Sequence, residues 1–185
     1  MQILKNGTLI DGSGEPRKKI DILIDGEFIK EIGYFSNINA ETIDCSNLFI
    51  TPGIVDVHSH ADMESIEHRT EKIKQGVTTE VVGNCGFSLF PTKENFQQSV
   101  PQSEIFNIQS GKKWEDAESY FTELLSAKSY SNVAALTGHG TLRAFIKGAE
   151  SSNFNKMESD SIEKVLSKCI EQGSIGISTG LNEVP

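Results

Sequence analysis

The chain has no apolar run approaching the roughly 18 residues that a membrane-spanning helix needs, so no membrane contact is expected of it. Its opening, Met1-Gln2-Ile3-Leu4-Lys5-Asn6-Gly7, lacks the long apolar core of a signal peptide. Cysteine is scarce. Three thiols, odd in number and far apart, make no disulfide framework and point to a reducing cytoplasm. Positive charge is outnumbered: 17 Lys and Arg face 26 Asp and Glu, a formal net charge of −9. That balance argues against nucleic acid as a partner, because phosphates need a basic face. No solenoid-type repeat and no low-complexity tract is present. The 185 residues, 37% apolar with ten Phe, suffice for one full domain, or for a small domain and part of a larger one.

The stretch that organises the rest is Phe49-Ile50-Thr51-Pro52-Gly53-Ile54-Val55-Asp56-Val57-His58-Ser59-His60. An apolar run breaks at Pro-Gly and resumes as a short strand ending in His-x-His. Side chains alternate along a strand, so His58 and His60 project from one face, where two imidazoles can grip one divalent metal. The alternative is a pair of solvated histidines at a strand end. A buried-type strand running into a polar tip is where barrel enzymes place their ligands, and this favours the metal.

Residues 1 to 51 read as short strands. Ile20 to Asp25, a Gly26-Glu27 link and Phe28 to Ile32 predict a tight hairpin. The segment is too small to bury much surface alone. After the His-x-His strand, Met63 to Lys74 is expected to be helical, with Gly76 at its C-cap. Val77 to Val82 is rich in β-branched residues and predicts a strand that ends in the small-residue loop Gly83-Asn84-Cys85-Gly86-Phe87-Ser88. Residues 88 to 113 show no period and read as a long loop.

Trp114 to Ala127 predicts a helix, with Ala117, Tyr120, Phe121, Leu124 and Leu125 on its apolar stripe. Asn132 to Thr137 predicts a third strand, running into the loop Gly138-His139-Gly140-Thr141-Leu142-Arg143. A further helix is expected to start at the capping pair Asp160 and Glu163 and to bury Ile162, Val165, Leu166, Cys169 and Ile170. Ser174 to Thr179 begins a fourth strand. This alternation implies parallel strands joined by crossover helices.

The segments Pro52 to His60, Gly76 to Ser88, Gly138 to Arg143 and Gly176-Ile177-Ser178-Thr179-Gly180-Leu181, in this order, resemble the amidohydrolase superfamily and, within it, the D-aminoacylases (N-acyl-D-amino-acid deacylases). The resemblance implies an α/β fold, a (β/α)8 TIM-type barrel of which this chain supplies only the first half, about four strands, with a small N-terminal β-sandwich segment. Residues 1–51 would belong to the sandwich and 52–185 to the incomplete barrel. A complete barrel takes about 250 residues, so the chain reads as the N-terminal portion of a longer enzyme, inactive alone.

The implied cofactor is zinc, one or two ions. By the resemblance, Cys85 is a thiolate ligand of a tighter site, and His58 and His60 serve a second, weaker one. Read from the residues alone, the alternative for Cys85 is a small buried apolar side chain, and its glycine-flanked place at the C-terminal end of a strand favours the ligand. The implied reaction is hydrolysis of an N-acyl-D-amino acid, with metal-activated water and a carboxylate that moves the protons. That carboxylate is an Asp beyond Pro185 in the family pattern. Inside this chain the nearest alternative is Asp56, which could instead orient a ligand imidazole. Asp62 is either a second candidate or an ordinary loop carboxylate. His139 and Arg143 are candidate substrate contacts, Arg143 through a bidentate fork to a substrate carboxylate. The residues read at least as well as a satisfied or solvated loop histidine and, more often for such an arginine, a solvated helix-start residue. His68 reads as a helix-surface residue, and Cys45 and Cys169 as buried apolar ones.

Two rivals remain. Hydantoinases and dihydroorotases bridge two metals with a carboxylated lysine on strand four, but Ile175-Gly176-Ile177-Ser178-Thr179 carries no lysine. A short, non-catalytic relative that binds metal or a partner would expose open strand edges that invite aggregation.

Overall fold

The computed structural model describes residues 1–62, 70–93, 112–148, 150 and 152–180. The chain divides into two compact units, Met1–Gly53 and Ile54–Pro185.

The first unit is built of seven short strands: β1 (Gln2–Lys5), β2 (Thr8–Leu9), β3 (Lys18–Lys19), β4 (Asp21–Asp25), β5 (Phe28–Gly33), β6 (Glu41–Asp44) and β7 (Phe49–Ile50). The expected hairpin is present, with β4 and β5 antiparallel and Asp25 opposite Phe28. The strands form two sheets, β5-β4-β1-β6 and β3-β2-β7. Ile3, Leu9, Ile22, Leu23 and Cys45 are the buried apolar side chains of this unit. Asp21 is buried because both its oxygens are used: Oδ1 accepts the Asn6 N–H at 3.0 Å and Oδ2 the Phe35 N–H at 3.4 Å.

The second unit contains β8 (Ile54–Asp56), β9 (Val77–Val82), α1 (Ala117–Ala127), β10 (Asn132–Ala135), β11 (Thr137–Gly138), α2 (His139–Lys147), α3 (Lys156–Glu171) and β12 (Ile177–Ser178). The parallel pairing expected from the alternation is observed for β8 with β9, β9 with β10, and β11 with β12. The third strand is interrupted at Leu136, whose N–H turns to the Val82 carbonyl at 3.0 Å. No closed barrel is formed among the described residues. No described helix is long and apolar enough to cross a membrane.

The core lies between β9, β10 and the helices, and joins Val82, Phe87, Leu89, Phe90, Trp114, Ala117, Tyr120, Leu124, Ala135, Ala144 and Cys169. The helix expected from Trp114 starts three residues later. Asp116 caps it in a reciprocal capping box with Ser119, which leaves Trp114 buried before the first turn. Its stripe is narrower than expected: Ala117, Tyr120 and Leu124 are buried, but Leu125 is 79% exposed. The last helix starts one turn before Asp160, because Asn155 and Glu158 form the capping box. Asp160 therefore lies within the helix, and Lys156 reaches it at i,i+4. On its stripe Cys169 is buried, whereas Ile170 is 47% exposed.

Of the helix expected over Met63 to Lys74, residues 63–69 lie outside the described residues, His68 among them; the rest includes a 3-10 turn, Ile73–Gln75, closed by Gly76 in the left-handed region. Most of the expected loop at 88 to 113 and the segment after Gly180 also lie outside them. Helix α2 begins at His139, ahead of the helix start read at Arg143; no side chain caps it, and its first turn is capped by a distant carbonyl described below.

Candidate metal centre

The strand before the His-x-His stops at Asp56, so His58 and His60 do not share a face by strand alternation. They are brought together by the residue between them. Ser59 is buried: its N–H donates to the Val81 carbonyl at 3.0 Å and its hydroxyl to Glu80 Oε2 at 2.8 Å, while its Oγ accepts the Ala61 N–H at 3.0 Å. With Ser59 pinned inward, the flanking imidazoles meet edge to face with ring centroids 5.5 Å apart.

Beneath this bend lies a charged network. Lys72 Nζ donates to Asp56 Oδ2 at 2.8 Å, Ser59 Oγ at 2.7 Å and Glu80 Oε2 at 2.6 Å. Glu80 Oε1 accepts the Ser131 hydroxyl at 3.0 Å, so a carboxylate that is only 4% exposed is satisfied at both oxygens. Burial works against the charge on Lys72, but its bonds to Asp56 and Glu80 outweigh this and hold its pKa above the ordinary value. Asp56 does not reach a ligand imidazole. Its Oδ1 accepts the backbone N–H of His58 at 3.2 Å, and the Lys72 bond followed by this one keeps its pKa low. A carboxylate so engaged orients the His58 backbone and is a poor proton acceptor.

Cys85 comes from the loop after β9, and it adopts φ +56°, a conformation that costs a non-glycine residue about 1 kcal/mol or more. Glycines on both sides make the turn fit. A Cβ at Gly83 (φ +75°) would lie 2.1 Å from the Leu136 carbonyl oxygen, and one at Gly86 (φ +83°) 2.8 Å from the Gly180 nitrogen. The Gly86 carbonyl in turn accepts the N–H groups of Gly140 at 2.7 Å and Thr141 at 3.3 Å, which caps the start of α2. Asn84 joins the two loops, donating from Nδ2 to the carbonyls of Val81 at 2.8 Å and Ser59 at 3.2 Å.

As a result His58, His60 and Cys85 converge. Their ligand atoms all lie within 4.8 Å of one another, with His58 Nε2 3.3 Å from Cys85 Sγ. Ligand bonds of about 2.0 Å for imidazole and 2.3 Å for thiolate put two donors on one tetrahedral zinc about 3.5 Å apart, so this set fits the metal. Burial, then the neighbouring charges of His58 and Lys72, lowers the pKa of His60, which favours the neutral imidazole that ligates.

The remaining candidates lie elsewhere. Asp62 is buried, its Oδ1 accepts the Gly83 N–H at 3.0 Å, and its carbonyl accepts the Tyr120 hydroxyl at 3.1 Å. His139 is exposed as the first residue of α2. Arg143 donates to the carbonyls of Glu150 at 2.7 Å and Ser152 at 2.8 Å and lies over the Phe154 ring, so its guanidinium braces the chain after α2. Sequence reasoning missed Ser59, Lys72, Glu80 and Asn84. Glu80 carried a signal: a lone carboxylate inside a β-branched strand must find a partner.

No family model matches the chain. Among curated proteins, the D-aminoacylase of Alcaligenes xylosoxydans xylosoxydans is 35% identical over 183 residues, 96% of this chain and 37% of that enzyme. The crystal structure of N-acyl-D-glutamate deacylase from Bordetella bronchiseptica, complexed with zinc and a phosphonate mimic of the tetrahedral intermediate, superposes with a TM-score of 0.87 at 31% identity. It is matched over 97% of this chain and 38% of its own. A D-aminoacylase structure with a binuclear metal centre superposes with a TM-score of 0.89 at 33% identity, over the same shares of the two chains. Over nearly its whole length the chain is similar to the D-aminoacylases. It corresponds to a portion of these relatives, spanning less than two-fifths of their length. These structural neighbours are amidohydrolase barrels, and the His58, His60 and Cys85 cluster lies in the loops that follow β8 and β9.

Proposed function

We propose that the chain is the N-terminal part of a zinc-dependent hydrolase that cleaves N-acyl-D-amino acids to a carboxylate and a free D-amino acid. The observation that carries this reading is the convergence of two imidazoles and one thiol within 4.8 Å, from loops that follow adjacent parallel strands. On this reading Met1–Gly53 belongs to a β-sandwich and Ile54 onward to the first half of a (β/α)8 barrel. The three free cysteines fit a reducing cytoplasm.

Zinc, when bound, polarises the scissile carbonyl and lowers the pKa of water towards neutrality. The chain's own residues would hold the ion. Cys85 presents a thiolate from a turn whose conformation is fixed before the metal arrives, and His58 and His60 present nitrogens from a bend pinned by Ser59. Lys72 and Glu80 hold that bend from below without entering the site. With both its oxygens engaged, Asp56 leaves the proton transfers to a carboxylate outside the described residues.

The test uses the full-length polypeptide loaded with zinc and a panel of N-acetyl-D- and N-acetyl-L-amino acids, with N-acetyl-D-methionine among them. Release of free D-amino acid, lost together with zinc in Cys85→Ala, is the expected result. No release from any member of the panel by a zinc-loaded protein would refute the assignment.

A further inference from the structure

The turn that carries Cys85 is closed by a residue far along the chain. Ser178, on β12, lies 92 positions after Gly86 and is 9% exposed. Its Oγ accepts the Gly86 N–H at 3.0 Å and donates its own proton to the Gly83 carbonyl oxygen. One hydroxyl therefore bridges the two ends of the Gly83-Asn84-Cys85-Gly86 turn. Both glycines are buried, so neither group has ready access to water in its place. The register of the strand fixes this contact: Ser178 stands opposite Gly138 in the parallel β11–β12 pair. A Cβ on Gly138 would meet the Gly86 carbonyl oxygen at 2.4 Å, so that strand approaches the turn as closely as a backbone can.

We propose that Ser178 is a positioning residue for the metal ligand Cys85, and that the fourth parallel strand thereby contributes to the metal centre without supplying a ligand. The inference rests on the metal-binding reading above. Its physical basis is the positive φ of Cys85. A non-glycine residue leaves that conformation readily unless its neighbours hold it, and Ser178 ties the backbone on each side. Without the hydroxyl, the Gly83 carbonyl and the Gly86 amide each lose a buried partner, and the turn can relax to a conformation that turns the thiol away from His58 and His60. Changes to groups that orient metal ligands typically cost 10- to 100-fold in metal affinity.

The experiment replaces zinc by cobalt(II) in the full-length protein and compares the wild type with Ser178→Ala and Ser178→Thr. Cobalt affinity is read by competition with a chelator, and the Cys85 bond by its near-ultraviolet sulfur-to-cobalt charge-transfer band. The expected result is a loss of affinity of about tenfold or more in Ser178→Ala with a weakened band, and recovery of both in Ser178→Thr, which retains the hydroxyl. Unchanged affinity and band in a folded Ser178→Ala would overturn the inference while leaving the metal centre intact. Absence of the band from the wild type would overturn the metal-binding reading itself. Should Ser178→Ala not fold, hydrogen exchange in the metal-free wild type decides. Protection of the Gly86 amide supports a turn held in advance by Ser178, and exchange at the rate of a free peptide refutes it.

Discussion

The side-chain amide of Asn84 donates to the backbone carbonyl of Ser59 at 3.2 Å. Asn84 immediately precedes Cys85, and Ser59 lies between His58 and His60, so this one bond couples the two loops that bring the ligand atoms together. Its second bond, to the Val81 carbonyl, anchors the same amide to β9, the strand that the Cys85 loop follows.

Asn84→Ala should therefore weaken metal binding as well as the fold. The expected loss is about tenfold or more in zinc affinity, against a destabilisation of about 1–2 kcal/mol for two buried hydrogen bonds. Chelator competition and denaturant unfolding of the metal-free protein measure the two separately. Equal affinity in variant and wild type would show that the loops are aligned without Asn84.

Lys72→Met should destabilise the second unit by about 2 kcal/mol, below the 3–5 kcal/mol of a fully buried pair because Lys72 is partly exposed. The cost arises at Glu80, which keeps its buried carboxylate but loses the ammonium. Adding Glu80→Gln should recover part of the loss. A double variant no more stable than Lys72→Met would place the cost elsewhere.

Gly83→Ala should be among the most disruptive single-methyl additions in the chain. The new Cβ meets the Leu136 carbonyl oxygen at 2.1 Å on a backbone at φ +75°, and neither the neighbour nor the dihedral can give cheaply. A loss of about 3 kcal/mol or more is expected, read as a fall in the unfolding midpoint. A change under about 1 kcal/mol would contradict the close packing of this turn.

Asp116 gives the fold an acid limit. Burial alone would raise its pKa, but bonds from Lys168, Gln172 and the Ser119 N–H outweigh this and bring it to about 2, from an ordinary 3.8. A carboxyl whose folded pKa lies below its unfolded one stabilises above the unfolded value, and that contribution is lost as the pH falls through the folded value. Asp116→Asn, which keeps a capping oxygen, should cost up to about 2 kcal/mol at pH 7. The gap should narrow as the pH falls from about 4 towards about 2 and should be absent below it. Denaturant midpoints at neutral and acid pH test this, and a gap of constant size would exclude the ionisation as its source.

Much of this protein was legible in the order of its residues. The β-branched run from Val77 to Val82, the hairpin around Gly26 and the stripe of Ala117, Tyr120 and Leu124 follow from local periodicity and turn chemistry, which act over a few neighbours. The candidate ligands His58, His60 and Cys85 could be named for the same reason: imidazoles two residues apart and a thiol among glycines are local patterns. Helix starts were less legible, since Asn155 with Glu158 and Asp160 with Glu163 offer the same spacing, and only packing selects between them.

What the sequence could not decide is why those ligands converge. The strand ends before His58, so their meeting depends on Ser59 finding Glu80, on Lys72 finding both Glu80 and Asp56, and on Asn84 finding Ser59. Ser178 reaches the Cys85 turn from 92 residues beyond Gly86. Likewise Arg143, which as a residue type could fork a carboxylate, is taken up by the carbonyls of Glu150 and Ser152. Hydrogen bonds and close approaches across such separations depend on strand register and on which groups are left without water. The chain itself determined which atoms could ligate, and only the tertiary structure decided which of them meet.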